Sequence, residues 1–275
     1  MSTTVQAESR YLTVNGLRLH HLDWGNPSAP PLVFVHGYTS SAQAFNVPAR
    51  RFCDRFHIIA TDVRGHGESA WSPQEAYQNS DQVADLAALV DQLGLGRFTL
   101  VGTSMGGRIS MAYGGTHSER LERLVINDVG PDTEEGSNRI TQEVGARPTE
   151  FPSFEAALAF GKQARPPIAI LSEEEQREFV QSHVRQTQDG CWVWKMALAY
   201  TRIQRSRPNL WSALAGIPCP TLVVWAMESD VLSEGQARRM IEVLPHGELV
   251  AVPGIGHAPT LMEPEAVAAL DRFLG

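Results

Sequence analysis

Ser104 stands in Gly102-Thr103-Ser104-Met105-Gly106, a G-x-S-x-G string between an apolar run at 98–101 (FTLV) and a helix-like stretch at 105–113. This is the setting in which such a serine is raised on a tight strand-to-helix turn. Glycines two residues before and two after let neighbouring backbone approach, and the helix start turns its free N–H groups toward the hydroxyl. A serine hydroxyl is a weak nucleophile unless a base takes its proton. Of the nine histidines, His257 is the expected base. It lies in Pro253-Gly254-Ile255-Gly256-His257, directly after the last expected strand, so it reaches the same carboxyl edge as Ser104. The base needs an acid to orient it and to stabilise the imidazolium. Asp230, after the run 221–225 (TLVVW), is the expected acid, with Asp128 in Asn127-Asp128-Val129-Gly130 as the alternative. Both follow strand-like runs to the same edge, and Glu228 reads as a solvated surface charge.

Charge that develops on a carbonyl oxygen needs preset donors. The backbone N–H of Met105, at the helix start, is one candidate, and the N–H of Tyr38 in His36-Gly37-Tyr38 is the other. His36 is expected to brace that loop. The polar turn Asp62-Val63-Arg64-Gly65-His66-Gly67-Glu68-Ser69 tempts a metal or acid–base reading. It is expected instead to be a glycine-rich turn in which Asp62 and Arg64 pair.

These residues need a scaffold that brings distant loops to one edge. Apolar runs at 32–36 (LVFVH), 57–61 (HIIAT), 98–101, 124–126, 221–225 and 248–252 suit strands buried on both faces of a mainly parallel sheet. A further strand at 18–24 follows the hairpin signal Asn15-Gly16. Helical stripes lie between them, at 83–93, 105–113, 237–244 and 264–273. Strands alternating with helices predict a doubly wound α/β sheet. From 131 to 207 the rhythm breaks. Helix-like stretches at 154–160, 172–188 and 193–202 replace the buried runs, and Ser172 with Glu175 resembles a capping box. The expected organisation is a core of 1–130 and 208–275 with a helical cap of 131–207. Trp192, Trp194, Met196 and Tyr200 in that cap would line an apolar substrate pocket or pack the cap onto the sheet.

Composition narrows the classes. The chain has 275 residues, 43% of them apolar, and a formal charge of −8. With no basic stripe, nucleic-acid binding lacks its main driving force. No run approaches the roughly 20 apolar residues that span a bilayer, so a membrane partner is not expected. The first ten residues lack the apolar segment of a secretory signal, which together with three scattered cysteines points to the cytoplasm. No Cys/His spacing suits a metal, and neither a metal nor a cofactor is expected. The sequence does not choose between a monomer and a homodimer.

Six landmarks run in order across nearly the whole chain: HGYTS at His36, DVRGHGES at Asp62, GTSMGG at Gly102, NDVGP at Asn127, ESDVLS at Glu228 and PGIGH at Pro253. Together they resemble the α/β-hydrolase superfamily, in its esterase, haloperoxidase-like and C–C hydrolase branch. The resemblance implies an eight-stranded, mostly parallel sheet flanked by helices, with a helical cap inserted after the sixth strand. It also implies Ser104, Asp230 and His257 as a triad. Dehalogenases and epoxide hydrolases of this fold use an aspartate nucleophile where this chain has Ser104. C–C hydrolases usually carry Trp after the histidine, where this chain has Ala258. The HGGG motif of some lipases is absent. The expected function is a carboxylesterase-type serine hydrolase acting on a small ester through an acyl-enzyme on Ser104. The alternatives are a C–C, lactone or amide hydrolase with the same triad, and a slow-turnover small-molecule receptor.

Overall fold

The computed structural model describes residues 6–132, 135–164, 166–197 and 208–275. The main sheet holds β1 (Glu8–Val14), β2 (Leu17–Asp23), β3 (Pro31–Val35), β4 (His57–Thr61), β5 (Phe98–Thr103), β6 (Leu121–Asn127), β10 (Thr221–Ala226) and β11 (Gly247–Val252). Their spatial order is β1-β2-β4-β3-β5-β6-β10-β11. The β1–β2 and β2–β4 pairs are antiparallel, and every other pair is parallel. Asn15 and Gly16 take the positive φ values, 49° and 78°, that a tight β1–β2 hairpin demands.

The continuous apolar runs are explained by helices on both faces. Successive side chains of a strand point to opposite faces. Val33 and Val35 of β3 therefore enter one core, with Leu86 and Leu89 of α2 (Asn79–Gln92), Ile109 of α3 (Met105–Thr116), Leu214 of α7 (Leu210–Ala215) and Met240 of α8 (Glu234–Val243). Leu32 and Phe34 enter the other, with Phe52 of α1 (Asn46–Phe52) and Leu270 of α9 (Pro264–Leu274). The β5 turn and the segments that leave β3, β6, β10 and β11 thus meet at one carboxyl edge of a rigid sheet.

The segment between β6 and α7 holds α4 (Glu135–Gly145), β7 (Glu150–Phe151), α5 (Phe154–Ala164), α6 (Glu173–His183), β8 (Val184–Gln186) and β9 (Trp192–Trp194). The α6 start carries the capping box: the Glu175 N–H donates to Ser172 Oγ, and the Ser172 N–H donates to Glu175 Oε2 at 2.8 Å. Two expectations here are corrected. The helix expected over 172–188 ends at His183, and Trp192–Trp194 is a strand rather than the start of a helix; β7, β9 and β8 form a small antiparallel sheet. The reason is the turn between β8 and β9, where Gly190 has φ 89° and the Thr187 N–H reaches the Cys191 carbonyl at 2.8 Å. That turn folds the chain back, and a W-V-W alternation then serves a strand. Residues 198–207, including Tyr200, lie outside the described residues.

This segment has its own buried cluster, which includes Phe151, Leu158, Ile168 and Val180, and Val47 and Met262 of the main body pack against it. Polar ties hold it down: Ser41 Oγ donates to the Ser182 carbonyl at 3.0 Å, Arg50 pairs with Glu178 at 2.7 Å, and Lys195 pairs with Glu68 at 2.9 Å.

Candidate active site

Ser104 links β5 to α3 at φ 53° and ψ −115°, a conformation that side chains seldom adopt. The neighbours explain why it is tolerated. A Cβ on Gly106 would sit 2.0 Å from the Val35 carbonyl oxygen, and one on Gly102 would sit 2.4 Å from that of Gly106. Only glycine lets α3 settle this close to β3 and β5. The Ser104 N–H donates to the Asn127 carbonyl at 2.9 Å, so the turn is anchored to the end of β6. Its hydroxyl lies 2.8 Å from His257 Nε2.

The other ring nitrogen meets Asp128. His257 Nδ1 lies 2.8 Å from Asp128 Oδ2, and Asp128 is wholly buried. Asp128 also has positive φ, 53°. Its N–H donates to the Val224 carbonyl at 2.8 Å, and its Oδ1 accepts the Ala226 N–H at 3.0 Å. The main chain of β10 thus fixes the carboxylate beneath the imidazole. Arg108 of α3 donates to the Gly130 and Pro131 carbonyls at 2.8 and 3.0 Å, holding the loop that leaves Asp128.

The expected partner, Asp230, is elsewhere, and the expectation is corrected. Its side chain is 44% exposed and is held by Arg139 of α4, whose Nε and Nη2 donate to it at 2.5 and 3.0 Å. These hydrogen bonds hold the Asp230 carboxyl below its usual pKa. Asp230 is therefore spent on the segment above the sheet, and the alternative acid, Asp128, occupies the place beside His257.

Asn127 was not singled out in the sequence. Its Nδ2 donates to the Pro259 carbonyl at 2.9 Å and to Thr103 Oγ1 at 3.1 Å. One residue therefore ties the Ser104 turn, the Asp128 loop and the His257 loop together. Its only sequence signal is its position beside Asp128.

His36 braces its loop. With the Gly37 carbonyl 2.8 Å from Nδ1, that nitrogen must carry the proton, and Nε2 accepts the Val63 N–H at 3.1 Å. Burial lowers its pKa, which favours this neutral form. Tyr38 follows on the cavity wall, and Met105 opens α3, so its N–H belongs to the first-turn donors that the helix ladder does not use. The expected Asp62–Arg64 pair does not form. Arg64 Nε and Nη2 clasp Asp85, each at 2.6 Å. Asp62 instead receives the Ala42 N–H at 2.6 Å and the Glu68 N–H at 2.9 Å, and it meets His20 Nδ1 at 2.7 Å. Burial opposes ionisation of Asp62, but the His20 hydrogen bond and the neighbouring histidines hold its pKa below the usual value.

His20 Nε2 in turn lies 2.7 Å from Ser9 Oγ, which makes a second serine–histidine–aspartate chain. Ser9 lies within β1, paired with Leu22, and lacks the positive φ that raises Ser104.

A cavity of about 110 Å³ opens on Ser104 and His257. Its walls include Tyr38, Phe45, Ile140, Ile168 and Phe179, with Arg139, Glu143 and Arg147 as charged members. The expected pocket residues Trp192, Trp194 and Met196 are not on this wall. Trp192 packs against Phe154, and Met196 is buried in a bridge to His66. Trp194 packs against Phe151 and Phe160, lining a smaller adjoining pocket. They pack because a short strand sends alternate side chains into the segment's own core. Among the described residues, no group of three or more His, Cys, Asp or Glu side chains is placed to hold a metal ion. No helix among them is long and apolar enough to cross a membrane.

Eight mostly parallel strands, a serine on a strained turn at their carboxyl edge, and a histidine and a buried aspartate from later loops define a class. The chain belongs to the α/β hydrolase family, whose model matches residues 32–270. It is 29% identical to a 3-hydroxybutyrate-oligomer hydrolase of Cupriavidus necator, over 93% of this chain and 92% of that one. It is 28% identical to a 2-(acetamidomethylene)succinate hydrolase of Mesorhizobium japonicum, over 97% and 95% of the two chains. Among solved structures, an α/β hydrolase from Novosphingobium aromaticivorans superposes with a TM-score of 0.88 at 30% identity, covering 98% of each chain.

Proposed function

We propose that this protein is a serine hydrolase that cleaves a small carboxylic ester through an acyl-enzyme on Ser104. The observation that carries the reading is the unbroken chain Ser104 Oγ–His257 Nε2–Asp128 Oδ2, with both contacts at 2.8 Å, opening into the cavity. Ser104 attacks the carbonyl carbon while His257 takes the hydroxyl proton. Asp128 keeps the Nδ1–H tautomer and stabilises the imidazolium. The N–H groups of Tyr38 and Met105 receive the carbonyl oxygen as it becomes negative. His257 then returns the proton to the leaving alcohol. Water, deprotonated by the same ring, releases the acid. The segment between β6 and α7 acts as a cap that shapes the pocket and excludes water.

The relative named for 3-hydroxybutyrate oligomers supports hydrolysis as the chemistry. The relative named for 2-(acetamidomethylene)succinate makes an acetamido substrate the natural comparison. The test is a set of initial rates on p-nitrophenyl esters from acetate to octanoate, with the matching anilides alongside, for the parent and Ser104→Ala. Ester turnover that disappears in Ser104→Ala supports the reading, and the chain-length optimum sizes the pocket. Turnover that survives the substitution overturns it, and faster anilide than ester turnover moves the assignment to amides.

A further inference from the structure

The α4 end of the cavity presents two arginines with different partners. Arg139 is committed: it holds Asp230 through Nε and Nη2 at 2.5 and 3.0 Å, and Glu143 through Nη1 at 2.5 Å. Arg147, just beyond α4, is not committed. Among the described residues, no carboxylate lies within ion-pair distance of its guanidinium and no acceptor is hydrogen-bonded to it. Its neighbour is the face of Trp194, 5.2 Å from the ring centroid. That platform is fixed, because the indole N–H donates to the Pro148 carbonyl at 2.8 Å and the ring packs edge-on to Phe151.

A partly buried guanidinium with five donors and no acceptor costs a folded chain free energy. Burial lowers the Arg147 pKa, and the charge of Glu143 only partly offsets it. Arg147 lines both the Ser104 cavity and the smaller pocket behind it, so an occupant of the cavity meets it.

We propose that Arg147 is the anion-binding residue of this site, and that the substrate is an ester bearing a second, ionised carboxylate. The inference rests on the ester-hydrolase reading above and deepens it. The planar guanidinium grips a carboxylate through two parallel hydrogen bonds, as a point charge does not, while Trp194 keeps its plane set. The grip places the ester carbonyl against Ser104. A neutral ester of equal length leaves the guanidinium unmatched, so the preference is for the half-ester. Because Arg139 is bound by two carboxylates, Arg147 is the cation left to receive the ligand.

Binding tests this without turnover. Calorimetry on Ser104→Ala compares the monomethyl esters of succinate, glutarate and adipate with uncharged methyl esters of the same length. A second series, 3-acetoxypropanoate and 4-acetoxybutanoate against their uncharged analogues, carries the carboxylate on the alcohol side. The expected result is that one series binds roughly ten- to a hundredfold more tightly than its neutral partners. That ratio falls close to one when Arg147→Gln is added, and it shrinks with salt. Arg147→Lys keeps the charge, loses the fork and retains part of the preference, and it carries the test if the glutamine variant does not fold. Equal binding of charged and neutral esters, no binding of either, or a preference that survives Arg147→Gln overturns the inference. Failure of the parent to hydrolyse any ester would instead count against the serine esterase, with these binding ratios unaffected.

Discussion

His257 Nδ1 and Asp128 Oδ2 lie 2.8 Å apart, and the carboxylate on that contact is wholly buried. Burial strengthens such a contact, because little water competes for either partner. Asp230 has the opposite surroundings: it is open to solvent and already clasped by Arg139. Two aspartates at one sheet edge therefore have separable roles. Asp128→Asn should lower kcat for ester hydrolysis by about 10³–10⁴-fold, since the amide cannot hold the required tautomer. Asp230→Asn should change it by less than about tenfold, because only the Arg139 contact is lost. Side-by-side kinetics check this, and the reverse order of effects would restore Asp230 as the acid.

Ser9 provides an internal control. It completes a hydrogen-bonded chain with His20 and Asp62, at 2.7 Å for each contact. What it lacks is the strained turn and the helix start that raise Ser104. Ser9→Ala should leave esterase rates within about twofold of the parent, whereas Ser104→Ala should remove at least about 10³-fold. Loss of activity in Ser9→Ala would mean that a hydrogen-bonded string alone suffices.

Asn127 holds three loops by donating to Pro259 and Thr103 and accepting from Ser104. Asn127→Leu keeps the volume and removes the side-chain donors. The loops should then drift, and kcat should fall about ten- to a hundredfold with little change in KM, since positioning is lost rather than binding. A rise in KM at unchanged kcat would contradict the positioning role.

His21 governs part of the acid stability. It is 1% exposed, and neither ring nitrogen has a partner. Burial, reinforced by the adjacent His20, pushes its pKa down to about 4 against the ordinary 6.5, with Asp23 opposing. The unfolded chain takes up this proton near pH 6.5 and the folded chain only near 4. Below pH 6.5 the unfolded state binds more protons, so stability is full above that value and falls as the pH drops toward 4. His21→Leu should flatten this slope. Urea midpoints between pH 7.5 and 4.5 check it, and parallel slopes for parent and variant would contradict it.

What could be read from the sequence followed local physics. The run 32–35 is apolar throughout because both faces of β3 are covered, and G-x-S-x-G is legible because a side chain at Gly106 would collide with β3. The acid was not legible in this way. Asp128 and Asp230 both follow strands that end at one edge, and their sorting depends on Arg139, 91 residues before Asp230. The Trp192–Trp194 strand was misread because three residues carry too little periodicity, while the Asp189-Gly190 turn before them was the better signal. Arg147 looked like the other arginines around it; only the fold shows which one faces Ser104 with no carboxylate beside it.

The most direct measurement is the rate at which a fluorophosphonate labels the protein, followed by intact mass and peptide mapping. The account predicts one phosphonyl group, on Ser104. It also predicts that Asp128→Asn slows labelling by about 10²-fold or more while Asp230→Asn labels near the parental rate. Labelling at another residue, no labelling, or slow labelling in Asp230→Asn alone would contradict it.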